Sequence, residues 1–158
     1  MPPGFDIADI YDRHGPMLFR LCFVQLKSKE DAEDVVQTVF MKLLSEQKKF
    51  ESDDHLRFWL VRVALNTCKN TLNSAFRRKT VGPEALISLS VTDELHIQTL
   101  LDLMALPPKY RQVLYLYYYA GYSAAEIGKL LDEKESAVFM RLSRARKQLK
   151  LALEEVET

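Results

Sequence analysis

The sequence predicts an all-α protein made of two helical parts joined by a short linker. Three observations carry this. Apolar residues recur at three- and four-residue spacing through most of the 158 residues, the period of helices that bury one face. The five glycines and six prolines sit mostly as punctuation between those segments. The period fails only over Thr80 to Asp93, TVGPEALISLSVTD, where Gly82-Pro83 marks a break and a linker is expected over 80–93.

A first helix is expected from about Asp6 to Lys27, with Ile7, Ile10, Tyr11, Leu18, Leu21, Cys22 and Leu26 apolar and Gly15-Pro16 as a joint or kink. Ser28 opens a second helix, and Asp31 falls in its first turn, where a carboxylate suits the helix dipole. Val35, Val36, Val39, Phe40, Leu43 and Leu44 form its buried stripe. The opposite face presents Asp34, Gln37, Thr38, Met41 and Lys42. A face that mixes acid, amide and base reads, by itself, as solvent-facing.

Lys48 to His55 reads as a polar loop holding one aromatic, Phe50, and a long helix is expected from about Leu56 to Lys79. That helix mixes Phe58, Trp59, Leu60, Val63, Ala64, Leu65, Cys68 and Leu72 with cations and with Asn66, Asn70 and Asn73. Rings interleaved with positive charge suit single-stranded DNA, which needs stacking surfaces for its bases and cations for its backbone. Aromatics at helical spacing are equally the mark of a core. Beyond the linker, a helix is expected from about Glu94 to Ala105, and Pro107-Pro108 ends it and starts another. The run LYLYYYA at Leu114 to Ala120 has β-propensity, but Pro108 at the start of the segment that contains it and Gly121 at its end favour a helix.

Ser123 to Lys150 reads as a helix-turn-helix. Ser123 and Glu126 have the spacing of a reciprocal capping box. Ile127, Leu130 and Leu131 give an apolar stripe that breaks at Asp132-Glu133-Lys134, the length of turn that joins two helices steeply. In the following helix Val138, Leu142, Ala145, Leu149 and Ala152 form one seam, with Arg141, Arg144, Arg146, Lys147 and Lys150 off it. The second helix of such a motif enters the major groove of duplex DNA.

The formal net charge is zero, yet the charge is not evenly mixed. Ser136 to Lys150 and Arg57 to Lys79 contain no acid, whereas Asp31, Glu33, Asp34 and Glu51 to Asp54 hold much of it. Two separated basic faces point to two contacts with one polyanion. Cys22 and Cys68 form no CxxC pair and read as buried free thiols, and His14, His55 and His96 lack metal-ligand spacing. No cofactor, metal or catalytic group is called for, so an enzyme is not expected. MPPGFD has neither a basic n-region nor an apolar h-region, and no apolar run approaches a bilayer's thickness. A cytoplasmic protein without membrane insertion is the expectation.

Three segments then carry a resemblance. DAEDVVQTVFMKLL at Asp31 to Leu44, LRFWLVRVALNTCKNTL at Leu56 to Leu72, and LPPKYRQVLYLYYYAGYSAAEIGKLL followed by RLSRARKQL resemble regions two and four of bacterial RNA polymerase sigma factors of the extracytoplasmic-function (ECF) group. The resemblance implies a region-two-like domain over 5–79 and a region-four-like helix-turn-helix domain over 94–155. It implies core RNA polymerase and promoter DNA as partners, with an anti-sigma protein as a third. The helix at Asp31 to Leu44 then becomes a polymerase-docking surface through Asp34, Gln37, Phe40 and Lys42, which reassigns its solvent-facing side. The loop at Lys49 to His55 and the helix after it become the elements that open the minus-ten promoter element and capture an extruded base. Phe50, Asp53, His55 and Asn66 are the pocket candidates, Trp59 and Arg62 brace it, and Lys69, Arg77 and Arg78 lie near the backbone.

The helix-turn-helix would read the minus-thirty-five element through Ser136, Phe139, Met140, Arg141, Arg144 and Lys147. Here the chain departs from the family. Asp132 and Glu133 stand where the turn commonly carries a glycine and an apolar residue, and Phe139 and Met140 stand where the basic face commonly begins. Glu133 and Glu135 near DNA would repel phosphate. Two other functions stay open: a helix-turn-helix regulator that never docks on polymerase, and a sigma-like adaptor with weak DNA reading.

Overall fold

A computed structural model of the chain describes residues 6–46, 49–74 and 101–157. All regular structure among them is helical. The chain divides into two compact units, Met1–Lys79 and Thr80–Thr158. The linker expected over 80–93, the start of the helix expected over 94–105, and Arg77, Arg78 and Lys79 lie outside the described residues.

The first unit is a three-helix bundle of α1 (Ile7–Leu26), α2 (Lys29–Ser45) and α3 (Asp53–Ser74), each in contact with the other two. Ser28 caps α2 by accepting the Asp31 amide at 3.1 Å, which satisfies one of the amides a helix start leaves free. Helix α1 runs unbroken through Gly15-Pro16, where a joint was expected. Leu18, Leu21 and Cys22 of α1, Val35, Val39 and Leu43 of α2, and Leu56, Leu60 and Ala64 of α3 close the core. Each large aliphatic side chain so buried stabilises the bundle by roughly 1.5–3 kcal/mol before conformational entropy is charged against it.

Two further expectations for this unit are corrected. Leu44 is 58% exposed, because it follows Leu43 round the helix and leaves the stripe that Val35, Val36, Val39 and Leu43 define. Helix α3 begins at Asp53, inside the stretch read as loop. Ser52 accepts the His55 amide at 3.0 Å, and Asp53 and Asp54 fill the first turn, so the acidic run is a helix start that favours the dipole.

In the second unit, a helical stretch over 101–104 leads to α4 (Pro108–Leu114), a π-helical segment (Tyr115–Tyr119), α5 (Ala124–Leu131) and α6 (Glu135–Glu157). Helices α4 and α5 both pack on α6. Pro108 occupies the first turn of α4 as its fixed φ suits, and the buried Arg111 donates to the Leu106 carbonyl at 2.8 Å. The run LYLYYYA is helical, but its tyrosines adopt the wider π form. Tyr115 and Tyr119 then stack at 5.4 Å and 15°. Gly121, at φ +80°, ends the segment, in a conformation that costs glycine little.

Both bonds of the capping box are present at the start of α5: Glu126 N–H donates to Ser123 Oγ at 3.1 Å and Ser123 N–H to Glu126 Oε1 at 2.9 Å. The helix ends on Asp132, whose φ of 60° puts it in the left-handed region, and the Glu133 amide closes back onto the Gly128 carbonyl at 2.9 Å. This is a helix terminus of the kind usually given to glycine. In α6, Val138, Leu142 and Ala145 are fully buried, and Leu149 and Ala152 are partly so.

Candidate nucleic-acid interface

A surface of rings, cations and an amide runs along α3 in the first unit. His55, Trp59, Arg62, Asn66 and Lys69 follow one another at spacings of four and three, and so share one helix face. Arg62, Asn66 and Lys69 are exposed, and His55 and Trp59 half-buried. Leu56, Leu60, Ala64 and Cys68 take the opposite face into the core. The helix therefore offers rings at its N-terminal end and cations beyond them, the order in which a single strand could stack its bases and lay its backbone.

The short loop before α3 is fastened from three sides. Phe50 is buried, with its ring edge-on to His55 at 5.4 Å and to Trp59 at 5.6 Å. Phe50 thus supports the loop from beneath. The Glu51 amide donates to His55 Nδ1 at 3.1 Å. With Nδ1 accepting, the neutral ring carries its proton on Nε2 and keeps that donor available. Asp53 is held from α1: one carboxylate oxygen accepts from Arg13 Nη1 and lies 3.1 Å from His14 Nε2, while Arg13 Nε also pairs with Asp9 at 2.9 Å. His14 itself is buried.

Partial burial alone would raise the Asp53 carboxyl, but the hydrogen bonds from Arg13 and His14 outweigh it and hold the group below its ordinary value. A folded-state value below the unfolded one means the carboxylate's contribution is present above the ordinary carboxylate range and is lost as pH falls through the lowered value. Because Asp53 keeps 47% of its side chain exposed, solvent screens the contribution. Arg13→Ala is expected to move the Asp53 titration upward, toward the ordinary carboxylate value, in a pH series of carboxyl carbon shifts. An unmoved titration would show that Arg13 does not hold the loop.

On α2, Asp34, Gln37, Met41 and Leu44 recur at three, four and three residues and share an exposed face, with Lys42 exposed on another flank. Phe40 is turned inward instead, its ring 5.0 Å from that of Tyr11. Met41 is 69% exposed. An exposed thioether and an exposed leucine one turn apart, with acid and amide beside them, make a mixed patch of the kind found at protein interfaces.

In the second unit, Ser136, Phe139, Met140, Arg144 and Lys147 of α6 are all exposed. Arg141 is not free: its Nη2 donates to Glu133 Oε1 at 2.6 Å. Arg146 is likewise engaged, donating to the Tyr118 hydroxyl at 2.6 Å and lying over the Tyr117 and Tyr118 rings at 5.5 and 5.7 Å. Among the described residues, no group of three or more His, Cys, Asp or Glu side chains could hold a metal ion. No described helix is long and apolar enough to cross a membrane.

Sequence reasoning missed Arg13, His14 and Leu44 as parts of these surfaces; it put Met41 on the exposed face of α2 without making it a contact, and read Glu133 only as a repulsive charge. Leu44 had a signal, its departure from the Val35-to-Leu43 spacing. The pairing of Arg13 with Asp53 spans forty residues and had none.

Comparison with known proteins bears on both units. The family described as Sigma-70 region 2 matches residues 10–79, and Sigma-70, region 4 matches residues 101–149. The chain is 30% identical over 156 residues to the ECF RNA polymerase sigma factor SigL of Mycobacterium tuberculosis, covering 93% of this chain and 88% of that protein. It is 26% identical over 171 residues to the ECF RNA polymerase sigma factor SigW of Bacillus subtilis, covering 94% and 89%. Among solved structures it is similar to CnrH in complex with the cytosolic domain of CnrY, at a TM-score of 0.68 and 27% identity over 94% of this chain and 88% of that one. The sigma factor RpoE in complex with the anti-sigma factor NepR from Bartonella quintana shares the fold at a TM-score of 0.68 and 20% identity, over 93% and 96%.

Proposed function

The chain belongs to the ECF sigma factors, non-enzymatic initiation factors that direct RNA polymerase to promoters, and on that premise we propose how its two units divide the task. Residues 5–79 dock on core RNA polymerase and open the minus-ten element, residues 94–155 read the minus-thirty-five element as duplex, and 80–93 joins them. The single-faced ribbon from His55 to Lys69 on α3 carries this reading.

Asp34, Gln37, Met41, Leu44 and Lys42 of α2 contact polymerase, with Phe40 shaping that surface from within. An extruded base of the non-template strand meets the loop before α3, and unstacking it costs a few kcal/mol that the pocket offsets. His55 offers its Nε2 donor to that base, Asn66 its amide, and Trp59 a ring edge, while Arg62 and Lys69 hold the backbone. Phe50 and Asp53 fix the loop. A base is thereby recognised without the loop having to order itself on binding, which preserves affinity. On α6, Arg144 and Lys147 contact phosphates, while Phe139 and Met140 suit thymine methyl groups.

The solved relatives CnrH and RpoE are bound to CnrY and to the anti-sigma factor NepR. An anti-sigma protein is the corresponding partner here, and the exposed apolar residues of α2 give it a surface that would compete with polymerase. A cytoplasmic location follows from these partners. The test is reconstitution: the folded protein should co-purify with core polymerase and direct run-off transcription from a limited set of promoters. Failure of a folded sample to bind core enzyme would overturn the reading.

A further inference from the structure

We propose that Glu133 is a positioning residue for promoter recognition: its carboxylate orients the Arg141 guanidinium so that the remaining donors of that arginine meet one base pair of the upstream duplex. This rests on the reading of the second unit as a duplex reader. An acid in the turn of a helix-turn-helix looks unfavourable because it faces a polyanion. The structure shows instead that the acid is already paired, through Arg141 Nη2 and Glu133 Oε1 at 2.6 Å.

The pair is built to hold one geometry. The Glu133 amide is bonded to the Gly128 carbonyl at 2.9 Å. The Glu133 carbonyl lies so close to Gly128 that a Cβ there would sit 2.7 Å away. The main chain at the root of the acid is thus fixed from both sides. Its second oxygen, Oε2, is buried without a hydrogen-bond partner, so the carboxylate is set by the turn and by Arg141 alone. The two side chains keep 22% and 30% of their surfaces exposed, enough to be reached by a ligand and too little to swing freely.

A guanidinium has five N–H donors. One bond to Glu133 restrains Arg141 and leaves donors for the paired acceptors of guanine, O6 and N7. Arg141 stands one helical turn before Arg144, which is exposed and makes no ion pair among the described residues. The two arginines therefore have different work. Arg144 adds positive charge that any phosphate attracts, whereas the Glu133–Arg141 pair is neutral as a unit and contributes selectivity through direction. A fixed arginine also loses less side-chain freedom on binding.

The test uses holoenzyme assembled from core polymerase and the full chain, and a library of promoter duplexes randomised upstream of the minus-ten element, with bound sequences counted. Wild type should prefer one base pair by a margin that Arg141→Ala removes. Glu133→Ala should lose about ten-fold of that same preference, within the range a bidentate arginine contact supplies, while its binding to unselected duplex holds or rises because an acid has left. The double variant should be no less selective than Arg141→Ala alone. Glu133→Gln keeps an acceptor oxygen and should retain most of the preference, which separates positioning from loss of fold.

A Glu133→Ala protein that binds every duplex more tightly with its preference intact would overturn the proposal and leave the duplex reading standing, since the acid would then only repel phosphate. Preference unchanged in Arg141→Ala would overturn it through the arginine. A wild-type protein with no upstream preference would overturn the duplex reading and this proposal together.

Discussion

Gly128→Ala is expected to unfold the second unit at markedly lower temperature, the reverse of what this substitution does in most helices. In the interior of an ordinary helix, replacing glycine by alanine stabilises by about 0.5–1 kcal/mol, because the unfolded chain loses freedom. Gly128 lies inside α5 and is buried. A Cβ built there meets the Glu133 carbonyl oxygen at 2.7 Å and the Glu135 nitrogen at 3.6 Å, both main-chain atoms that no rotamer change can move. To make room, the turn must open, and with it the Glu133 amide bond to the Gly128 carbonyl. Overpacking of this kind costs typically 1–3 kcal/mol, which outweighs the entropic gain. For a unit of this size that lowers the melting temperature by roughly 5–15 °C. Circular-dichroism melting of the variant measures it, and a melting temperature unchanged or raised would show that the turn yields without cost. Gly128→Val should be worse, and either variant should weaken upstream duplex binding.

Met41→Glu together with Leu44→Glu is expected to abolish association with core polymerase at concentrations where the wild type is saturated. Both side chains are mostly exposed, at 69% and 58%, so neither change opens a cavity, and each should alter stability by no more than about 0.5 kcal/mol. Docking is a different matter. The few side chains at the centre of an interface that dominate its energy carry about 2 kcal/mol or more each, roughly a thirty-fold change in affinity, and a carboxylate put in such a place must also be desolvated. The exposed neighbours Asp34 and Gln37 on the same face, truncated to alanine, should cost less. Titration of labelled protein with core enzyme separates the effects, and a double variant that melts normally and still binds core with wild-type affinity would remove α2 from the docking surface.

What the sequence alone made legible follows the range of the forces involved. The capping box at Ser123 and Glu126 spans three residues, and both its bonds are present. The seam at Val138, Leu142 and Ala145 repeats with the helix itself, and those three residues are fully buried. Local periodicity also placed Trp59, Arg62, Asn66 and Lys69 on one helix, and their common face follows from the spacing, whereas His55, read as loop, joins that face only because the helix starts earlier. The start of α3 was misread because Ser52, Asp53 and Asp54 are as much at home in a polar loop as in a helix start. The π form of Tyr115–Tyr119 left no trace in the apolar pattern, since tyrosine fits a strand, an α-helix and a wider turn alike.

Contacts between distant residues were out of reach. Arg13 and Asp53 meet only because α1 and the start of α3 pack together, and nothing in either local stretch announces it. Glu133 and Arg141 lie eight residues apart across a turn, so the acid looked like an obstacle to DNA until its partner was seen. Gly128 did carry a signal. A glycine inside a strongly patterned helix weakens it and generally has a packing reason, which here is the Glu133 carbonyl.

Cys22 and Cys68 are the chain's two cysteines, both buried and unbridged, and both in the bundle of α1, α2 and α3. A hydrogen bond with Cys68, and then burial, push the Cys22 thiol up. A thiol reagent in solution can therefore reach neither sulfur until the bundle opens, and it has no target at all in the other unit. Labelling kinetics in the unmodified protein become a stopwatch for one half of the molecule: they report how often the bundle of α1, α2 and α3 breathes, free or in the presence of polymerase, without a reporter having to be introduced.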